Sequence, residues 1–474
     1  MSRTQAILWT LIAYQLVMIA IGLLANRLSH DESDYFLGGR RLGPWVAGLS
    51  ASASSSSVWT LLGVSGYAYG EGLAAIWLLP GCVGGFALNW FVLAPALRRE
   101  SARSGAITVT ELLAGPRGTA KRWPVIVLAS TIILLSLLTY VAAQFQGAGK
   151  TFAETFDIGF APALLLGAAI VVFYTLLGGF WAASITDTVQ GLLMAAVGLC
   201  LPLAALFAIG GPSELLAGMR EVEVEGYMAV AKGLPPAAGV GLVLGLLGIG
   251  LGYPGQPHVV NRMMALRDDE ALIGARRISM IWALVIYTGM VVLGWSVRVL
   301  IPELADREDA FMAGTELVLP PVFAGVMVAA VLSAIMSTVD SQLLVAASTI
   351  SHDLIGRAGE REVAVDGARR VLLRSRLTVL GLSLGSIGVA LVVDEGIFAS
   401  VLFAWSAMGA AFGPVLLVTV LRRRPRPNWV LAAMSAGFVL SVIAYSSKAG
   451  GTIERVVPFV VALAIAGWGA RAED

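Results

Sequence analysis

The amino-acid sequence predicts an all-α protein that crosses a lipid bilayer many times. Of its 474 residues, 57% are hydrophobic and only 13% are charged, whereas soluble domains carry about 25% charged residues. Apolar runs of about 20 residues, long enough to span a bilayer as helices, recur along the whole sequence. The formal net charge is +1, so no basic surface points to a nucleic acid. The lipid bilayer is the predicted environment.

Thirteen apolar segments are the predicted transmembrane helices. The first segment lacks the basic start and small-residue cleavage site of a signal peptide, which favours a retained helix. The connections between segments are too short to form a soluble domain. The segments cover residues 6–27, 43–66, 74–97, 123–147, 160–178, 184–209, 236–256, 279–300, 321–349, 373–393, 397–421, 427–446 and 455–470.

The distribution of basic residues predicts the orientation of these helices. If the N-terminus lies outside, most of the 32 Lys and Arg residues fall in loops on the inner side, among them Arg40, Arg98, Arg262 and Arg276. Cytoplasmic loops are enriched in Lys and Arg, and an odd number of helices places the two termini on opposite sides. We therefore expect an outer N-terminus and a cytoplasmic C-terminus in the cytoplasmic (inner) membrane of a bacterium.

Two of the segments are unsuited to continuous helices. Residues 50–57 are rich in serine, and residues 248–257 combine glycines with prolines, which remove backbone donors and lower helix propensity. Non-helical backbone at membrane depth persists where protein or a water-filled cavity covers it. Because the breaks lie five helices apart, they predict a transporter built from two inverted repeats with its site at the breaks. Close packing of small residues is the alternative.

Seven short motifs follow one another in an order typical of one family. They are residues 34–44 (DYFLGGRRLGP), 49–53 (LSASA), 174–180 (YTLLGGF), 186–190 (TDTVQ), 252–258 (GYPGQPH), 276–280 (RRISM) and 336–344 (MSTVDSQLL). On these motifs the sequence resembles the sodium/solute symporter family, closest to its sodium/proline symporter branch.

The resemblance implies the five-plus-five inverted-repeat fold of the leucine transporter, with one extra N-terminal helix and two extra C-terminal helices. Residues 1–42 would hold the extra N-terminal helix and an inner loop. The first repeat would occupy residues 43–210 and the second residues 236–421. Residues 427–474 would form the extra C-terminal helices.

The resemblance also implies a sodium site between the first broken helix and the eighth helix of the repeats. Carried onto this sequence, its ligands are carbonyl and hydroxyl oxygens of Ala53, Ser56, Ala334, Ser337 and Thr338. Hard cations prefer such oxygen ligands. From the residues alone, the hydroxyls of Ser337 and Thr338 have an alternative role, since they can bond back to the carbonyl four residues earlier.

Two acidic residues, Asp187 and Asp340, fall inside predicted helices. A carboxylate in hydrocarbon is costly and by default marks a functional site. The proline branch carries an aspartate at the position of Ser55, and Asp340 stands where the family commonly has serine. We expect Asp187, Asp340 and Ser341 to form a second cation site. The alternatives are a capping role for Asp187 at the start of its helix and a salt bridge to an inner arginine.

By the same resemblance, the solute lies between the two breaks and the third helix of the repeats. Its expected contacts are Ser57, Trp59, Tyr140, Gln144, Ile249, Tyr253 and Pro257. The proline branch has a tryptophan at the position of Ile249, and Gln144 and Gln146 add amides nearby. These differences allow a solute larger or more polar than proline.

The predicted function is sodium-coupled uptake of a small organic solute by alternating access, with Na+ as the coupling ion. Proline or a related amino acid is the favoured solute. One alternative is a sodium-coupled carrier of another small carboxylate or osmolyte; another is a non-transporting sensor with the carrier fold. An enzyme is not expected, since the helices contain no nucleophile–base pair or metal cluster.

Overall fold

The computed structural model describes residues 3–25, 32–356, 367–393, 396–421 and 424–470. Within these ranges the regular structure is helical, apart from one isolated parallel bridge between Leu42 and Leu266. Six arginines used to predict the orientation lie outside the described residues: Arg27, Arg357, Arg361, Arg422, Arg423 and Arg471.

The α-helices of the described residues have the following bounds. They are α1 (Arg3–Ala25), α2 (Glu32–Leu37), α3 (Pro44–Ser55), α4 (Val64–Glu71), α5 (Leu78–Ala87), α6 (Ala94–Ser104), α7 (Val109–Ala114), α8 (Arg122–Phe156), α9 (Phe160–Leu177), α10 (Phe180–Ile209), α11 (Pro212–Arg220), α12 (Pro236–Leu247), α13 (Pro257–Met264), α14 (Asp269–Leu300), α15 (Ala310–Val318), α16 (Pro321–Ser348), α17 (Gly367–Val392), α18 (Ile397–Leu421), α19 (Pro427–Ser446), α20 (Gly451–Arg455) and α21 (Val457–Gly469).

Eleven stretches of the described residues are long and apolar enough to cross a membrane, so the predicted count of thirteen is not confirmed. The two counts differ at α9, which is short, and in the second and third predicted segments. There, residues Trp59–Ser104 form one nearly continuous helical stretch. The chain nevertheless turns at Gly72, whose φ is +59°. Arg40 donates to the carbonyls of Ser101 and Ala106, which places the end of α6 beside the start of α3.

Both predicted breaks are present, but the first is shorter than the serine-rich run that predicted it. The serine-rich run stays helical through Ser55, and the backbone leaves helical geometry at Ser56, with φ −121° and ψ 74°. A π-helical turn, Trp59–Gly63, then leads into α4. In the second break α12 ends at Leu247, a 3-10 segment covers Gly248–Gly255, and α13 begins with a proline at its first position.

The broken segments lie at the centre of the bundle, since residues 47–60 and 252–266 are all buried. In α16 and α18 the most apolar stretches are 89% buried, against 17% in α1, so α1 belongs to the lipid-facing periphery. The second break packs closely on α18, because a Cβ on Gly252 would lie 2.1 Å from Nε1 of Trp405. We call the side where α12, α16 and α18 begin the upper face, and the opposite side the lower face.

Candidate functional site

The first break meets α16 through hydroxyl groups and free carbonyls. The Ser337 hydroxyl donates to the carbonyl oxygen of Ala53 at 3.3 Å and shares its proton with Ala334 O, also at 3.3 Å. The Thr338 hydroxyl donates to the carbonyl oxygen of Ser54 at 3.3 Å. All of these residues are fully buried. Neither hydroxyl makes the bond to the carbonyl four residues earlier that was the alternative role.

Ser56 occupies the non-helical position between the two halves of the break. Its backbone N–H donates to the carbonyl of Ala53 at 3.2 Å, and its hydroxyl lies 3.4 Å from the hydroxyl of Tyr287. The structure therefore brings together the five residues that the sequence analysis names as sodium ligands. It adds the carbonyl of Ser54, which the sequence did not indicate.

A buried ion pair lies on the lower side of the contact between α3 and α16. Through its hydrogen bonds it connects the two broken segments. Arg262 Nη2 lies 3.1 Å from Asp187 Oδ2, and both side chains are essentially inaccessible to solvent. The same carboxylate oxygen accepts hydrogen bonds from the hydroxyls of Ser50 at 2.7 Å and Ser54 at 3.1 Å. Arg262 also donates to Ser341 Oγ at 2.5 Å and to the carbonyl of His258 at 2.6 Å.

Two expectations from the sequence are corrected by this ion pair. Arg262 was counted as an inner-loop residue, but it lies on α13 with 1% of its side chain exposed. Asp187 does not cap a helix, because α10 begins at Phe180, seven residues earlier. Of the alternatives for Asp187, the salt bridge to an arginine is the arrangement found. Nothing in the local sequence identifies Arg262 as its partner, since the two residues are 75 positions apart.

Asp340 lies close to this ion pair but forms no salt bridge among the described residues. Its Oδ1 accepts a hydrogen bond from Ser341 Oγ at 3.3 Å, whereas its buried Oδ2 has no donor within the described ranges. The side chain lines a crevice together with Tyr174. The Ser55 hydroxyl instead bonds to the carbonyl of Ser52 in its own helix, so the two positions face different surroundings.

The expected solute contacts on the first break and α8 lie together. Tyr140 Oη is 3.5 Å from Ser57 Oγ, and Gln144 Oε1 accepts the backbone N–H of Val58 at 3.1 Å. The backbone N–H of Trp59 donates to Ser57 Oγ at 3.2 Å. Nε2 of Gln144 and Nε1 of Trp59 are buried donors with no acceptor among the described residues. Gln146 lies elsewhere and donates to the carbonyls of Ala390, on α17, and Val393, which directly follows that helix.

The second break supplies an aromatic wall, with a contribution from α18 that the sequence analysis missed. Trp405 Nε1 donates to the carbonyl of Ile249 at 3.1 Å. The indole ring packs edge-on against Tyr253, with 4.6 Å between centroids, and more distantly against Tyr140. Pro257 begins α13 directly below. An indole from α18 therefore lies beside Ile249.

Tyr287 of α14 is a second residue missed by the sequence analysis. Its hydroxyl lies 2.8 Å from the hydroxyl of Tyr253 and 3.4 Å from that of Ser56, so it connects the two breaks. Its signal in the sequence was weak, because a tyrosine in an apolar helix is most often a core residue or an interface anchor.

The chain is similar to known sodium-coupled carriers over almost its whole length. Residues 35–437 match the profile of the family described as sodium:solute symporter family. The sodium/proline symporter of Salmonella typhimurium is 35% identical over 94% of this chain and 88% of its own. The osmoregulated proline transporter of Bacillus subtilis is 33% identical over 95% of this chain and 91% of its own.

Two solved structures share the fold. A Na+-coupled sialic acid symporter, in a substrate-bound outward-open state, matches with a TM-score of 0.81 and 16% identity over 98% of this chain and 97% of its own. A nucleobase-cation-symport-1 family transporter matches with a TM-score of 0.57 and 14% identity over 93% of this chain and 96% of its own. At these identities the likeness establishes the five-plus-five helical fold.

The ion pair between Arg262 and Asp187 predicts a large coupling energy. Asp187→Asn leaves a buried guanidinium without its counter-charge, and we expect it to lower the free energy of unfolding by about 3–5 kcal/mol. Arg262→Gln should do the same, and the double variant should lose much less than the sum of the two losses. Thermal and denaturant unfolding of the purified protein measures all three variants.

Arg267→Gln is the control, because Arg267 pairs with Asp268 and both side chains are about half exposed, at 53% and 48%. Exposed pairs contribute at most about 1 kcal/mol. Additive losses in the Asp187 and Arg262 variants would show that the two charges are stabilised independently of each other.

Proposed function

The chain belongs to the sodium:solute symporter family, and on this premise we propose that it carries proline or a closely related amino acid. It is a membrane transporter that couples solute uptake to Na+, and it is not an enzyme. The observation that carries the proposal is the meeting of α3 carbonyls with α16 hydroxyls directly beside Ser57. In that arrangement, a cation and a solute would bind to adjoining parts of one broken helix.

The proposed sodium ligands are oxygens of Ala53, Ser56, Ala334, Ser337 and Thr338. Support comes from the distances of 3.3 Å that already connect the α16 hydroxyls to the α3 carbonyls, so a small displacement directs these oxygens at one ion. A hydroxyl keeps two acceptor lone pairs while it donates. Uncharged oxygens suit a monovalent ion, since they bind it without adding a buried negative charge.

The proposed second cation site lies between Asp187, Asp340 and Ser341. The support is a pair of buried carboxylate oxygens, Oδ1 of Asp187 and Oδ2 of Asp340, that have no hydrogen-bond donor among the described residues. A buried carboxylate oxygen without a partner is costly. Arg262 balances one of the two negative charges, which leaves a charge of about −1 for a monovalent cation to neutralise.

The proposed solute site uses Ser57, Trp59, Tyr140, Gln144, Ile249, Tyr253 and Pro257, and we add Trp405. An amino acid presents a carboxylate that needs donors, and Gln144 Nε2 and Trp59 Nε1 are buried donors without acceptors within the described ranges. The rings of Tyr140, Tyr253 and Trp405 form an apolar wall for an aliphatic ring. This wall favours proline over a larger polar solute, because Trp405 fills the space beside Ile249.

The proposed setting is the cytoplasmic membrane of a bacterium, with the upper face outside and the C-terminus in the cytoplasm. The basic residues of the lower side support this orientation, and no nucleic acid takes part. Transport then proceeds by alternating access, in which the upper and lower halves of the bundle open in turn around the two breaks.

The α16 hydroxyls give the first prediction for transport. Ser337→Ala and Thr338→Ala each remove one oxygen ligand, and loss of a contact to a charged group costs ~1.5 kcal/mol. We expect the sodium concentration for half-maximal uptake to rise by about tenfold in each variant. Uptake of labelled proline into proteoliposomes, measured across a range of sodium concentrations, tests this expectation.

Ser348→Ala is the control for these variants, since Ser348 is a buried serine of the same helix that bonds to the carbonyl of Val345. It should keep the sodium dependence of the native protein. The sodium site is misplaced if Ser337→Ala and Thr338→Ala behave like this control.

The unpartnered oxygen of Asp340 gives a second prediction. Asp340→Asn removes the negative charge with little change in volume, and we expect the steepness of sodium activation to fall towards that of a single ion. Expression and melting temperature should change little, because the native carboxylate forms no salt bridge with a described residue. Unchanged steepness in Asp340→Asn would leave the carboxylate without a role in cation binding.

The third prediction concerns coupling between sodium and solute. Both ligands bind the segment around Ser56 and Ser57, so each should order it for the other, and the effect must be reciprocal. We expect proline to bind at least tenfold more tightly in sodium than in potassium, and sodium to bind correspondingly more tightly with proline present. Thermal shifts of the purified protein report both affinities.

A panel of other amino acids, small carboxylates and osmolytes, tested by the same thermal shifts, separates proline from the alternative solutes. Equal proline affinity in the two salts would refute the coupling. A larger sodium-dependent shift with another carboxylate would replace proline as the solute.

A further inference from the structure

A groove of about 520 Å³ opens on the outer surface of the bundle in its lower half, between α8, α17 and the turn that follows α16. Above the groove, α8 and α17 touch. A Cβ on Gly385 would lie 2.9 Å from Cδ1 of Leu138, and the Ser386 hydroxyl donates to the carbonyl of Leu138. Below this contact, a Cβ on Gly381 would meet no atom within 4 Å. The gap between the two helices therefore widens towards the lower face.

The walls of the groove are largely apolar. They include Leu134 and Leu138 of α8, Ile350 and Ile355 of the π-helical turn Thr349–Ile355, and Leu377 and Leu382 of α17. Leu373, Leu377 and Leu384 of α17 expose 58%, 59% and 68% of their surface, and they belong to a stretch long and apolar enough to cross a membrane, Leu372–Val392. An empty gap beside such side chains forfeits their dispersion contacts. The occupant that fits these walls is a lipid acyl chain.

Arg374 is the charged residue of the groove wall within the described ranges. It is exposed, and it lies in the first turn of the apolar stretch of α17. Arg370 is also exposed and lies four positions earlier, so the two side chains share one face of the helix. Neither arginine forms a salt bridge with a described carboxylate. Long basic side chains at the end of a membrane helix reach the headgroup layer. The lower mouth of the groove therefore carries two positive charges at headgroup level.

This combination of an apolar groove and a basic mouth selects the charge of the lipid. Basic pockets between transmembrane helices on the cytoplasmic side bind anionic headgroups, and a guanidinium holds a phosphate through two parallel hydrogen bonds. A zwitterionic headgroup brings a cation of its own, which the second arginine repels. Charge complementarity therefore favours a lipid with a net negative charge.

We propose that this groove binds one anionic phospholipid of the inner leaflet, with an acyl chain between α8 and α17 and the phosphate on Arg374 and Arg370. The inference goes beyond the proposed function and takes from it only the orientation in the membrane. Lipid in this position contacts the π-helical turn that continues α16, a kind of turn frequent at functional sites. It therefore stabilises the packing of α8, α16 and α17 against one another at the lower face.

The charge of the mouth is tested by native mass spectrometry of the purified full-length protein with equal amounts of phosphatidylglycerol and phosphatidylcholine. We expect the native protein to retain one phosphatidylglycerol in preference to phosphatidylcholine. Arg374→Gln should weaken this retention about fivefold, the factor that corresponds to one basic residue near an anionic lipid surface. Arg376→Gln is the matched control, because Arg376 is exposed on the same helix but positions two apart do not share a face. It should keep the native preference.

The shape of the groove is tested by filling it. Gly381→Leu places a side chain where a Cβ meets no atom, so the helix is kept while the space for the acyl chain is lost. We expect phosphatidylglycerol retention to fall at least fivefold. Gly388→Leu is the control, since a Cβ on Gly388 also meets no atom within 4 Å and Gly388 is not part of the groove wall.

Melting temperature supplies the second readout, because a ligand that binds the native state raises it by mass action. Phosphatidylglycerol should raise the melting temperature of the native protein and of both controls, and should raise it much less in Arg374→Gln and Gly381→Leu. Soluble glycerol phosphate, which has no acyl chain, should produce no shift.

Three outcomes would overturn the lipid site. One is equal retention of the two lipids by the native protein, and another is native retention of phosphatidylglycerol in both Arg374→Gln and Gly381→Leu. The third is a shift with glycerol phosphate that Arg374→Gln removes, which would make the mouth a site for a soluble anion. These measurements need neither sodium nor proline. Absence of sodium-dependent proline uptake would therefore overturn the proposed function and leave the lipid site standing.

Discussion

Where α3 ends at Ser55, its last carbonyls lose their helical donors, apart from the N–H of Ser56, which reaches the carbonyl of Ala53, and hydrocarbon offers no water as a replacement. The fold supplies hydrogen-bond partners for the break from other helices. Ser337 and Thr338 of α16 donate to the carbonyls of Ala53 and Ser54, and Gln144 of α8 accepts the N–H of Val58. In the second break Trp405 of α18 donates to Ile249. These buried polar side chains therefore satisfy backbone groups that the two breaks leave without helical partners.

Arg262 extends the same principle to charge. Its guanidinium contacts Ser50 of α3, Asp187 of α10 and Ser341 of α16, and it bonds to its own helix at His258. A charge buried this deeply is tolerated because its partners satisfy it on every side. The parallel bridge between Leu42 and Leu266 joins the same two broken segments nearby. The lower ends of the two breaks thus form one connected body, and a movement that opens the lower face must carry this cluster or separate it.

The sequence predicted those features that depend on local chemistry. Apolar length predicted the membrane helices, and serine, glycine and proline predicted both breaks, because these residues weaken helices wherever they occur. Partners distant in the chain could not be predicted in this way. In the sequence Arg262 is indistinguishable from a loop arginine, and only the structure shows that it is buried on α13. Trp405 belongs to a regular apolar helix, and no local pattern indicates that its indole reaches Ile249. Even the serine run misled in detail, since tertiary contacts keep most of it helical. The repeat boundaries at 43–210 and 236–421 and the proposed ligand roles stay predictions.

The two halves of the first broken segment have different neighbours, and this difference gives sodium coupling a physical basis. The lower half, α3, is bound to α16 and to the ion-pair cluster. The upper half is bound through Trp59 and Tyr67 to Phe398, and so to the start of α18. In the proposed sodium site, a cation held by the last carbonyls of α3 and the hydroxyls of α16 would fix the end of the lower half. It would thereby fix the direction in which Ser57 and Trp59 leave that half. On the same proposal, solute bound to those two residues would meet a preformed surface instead of having to order one. The ordering that each ligand no longer has to supply would be the free energy that couples them.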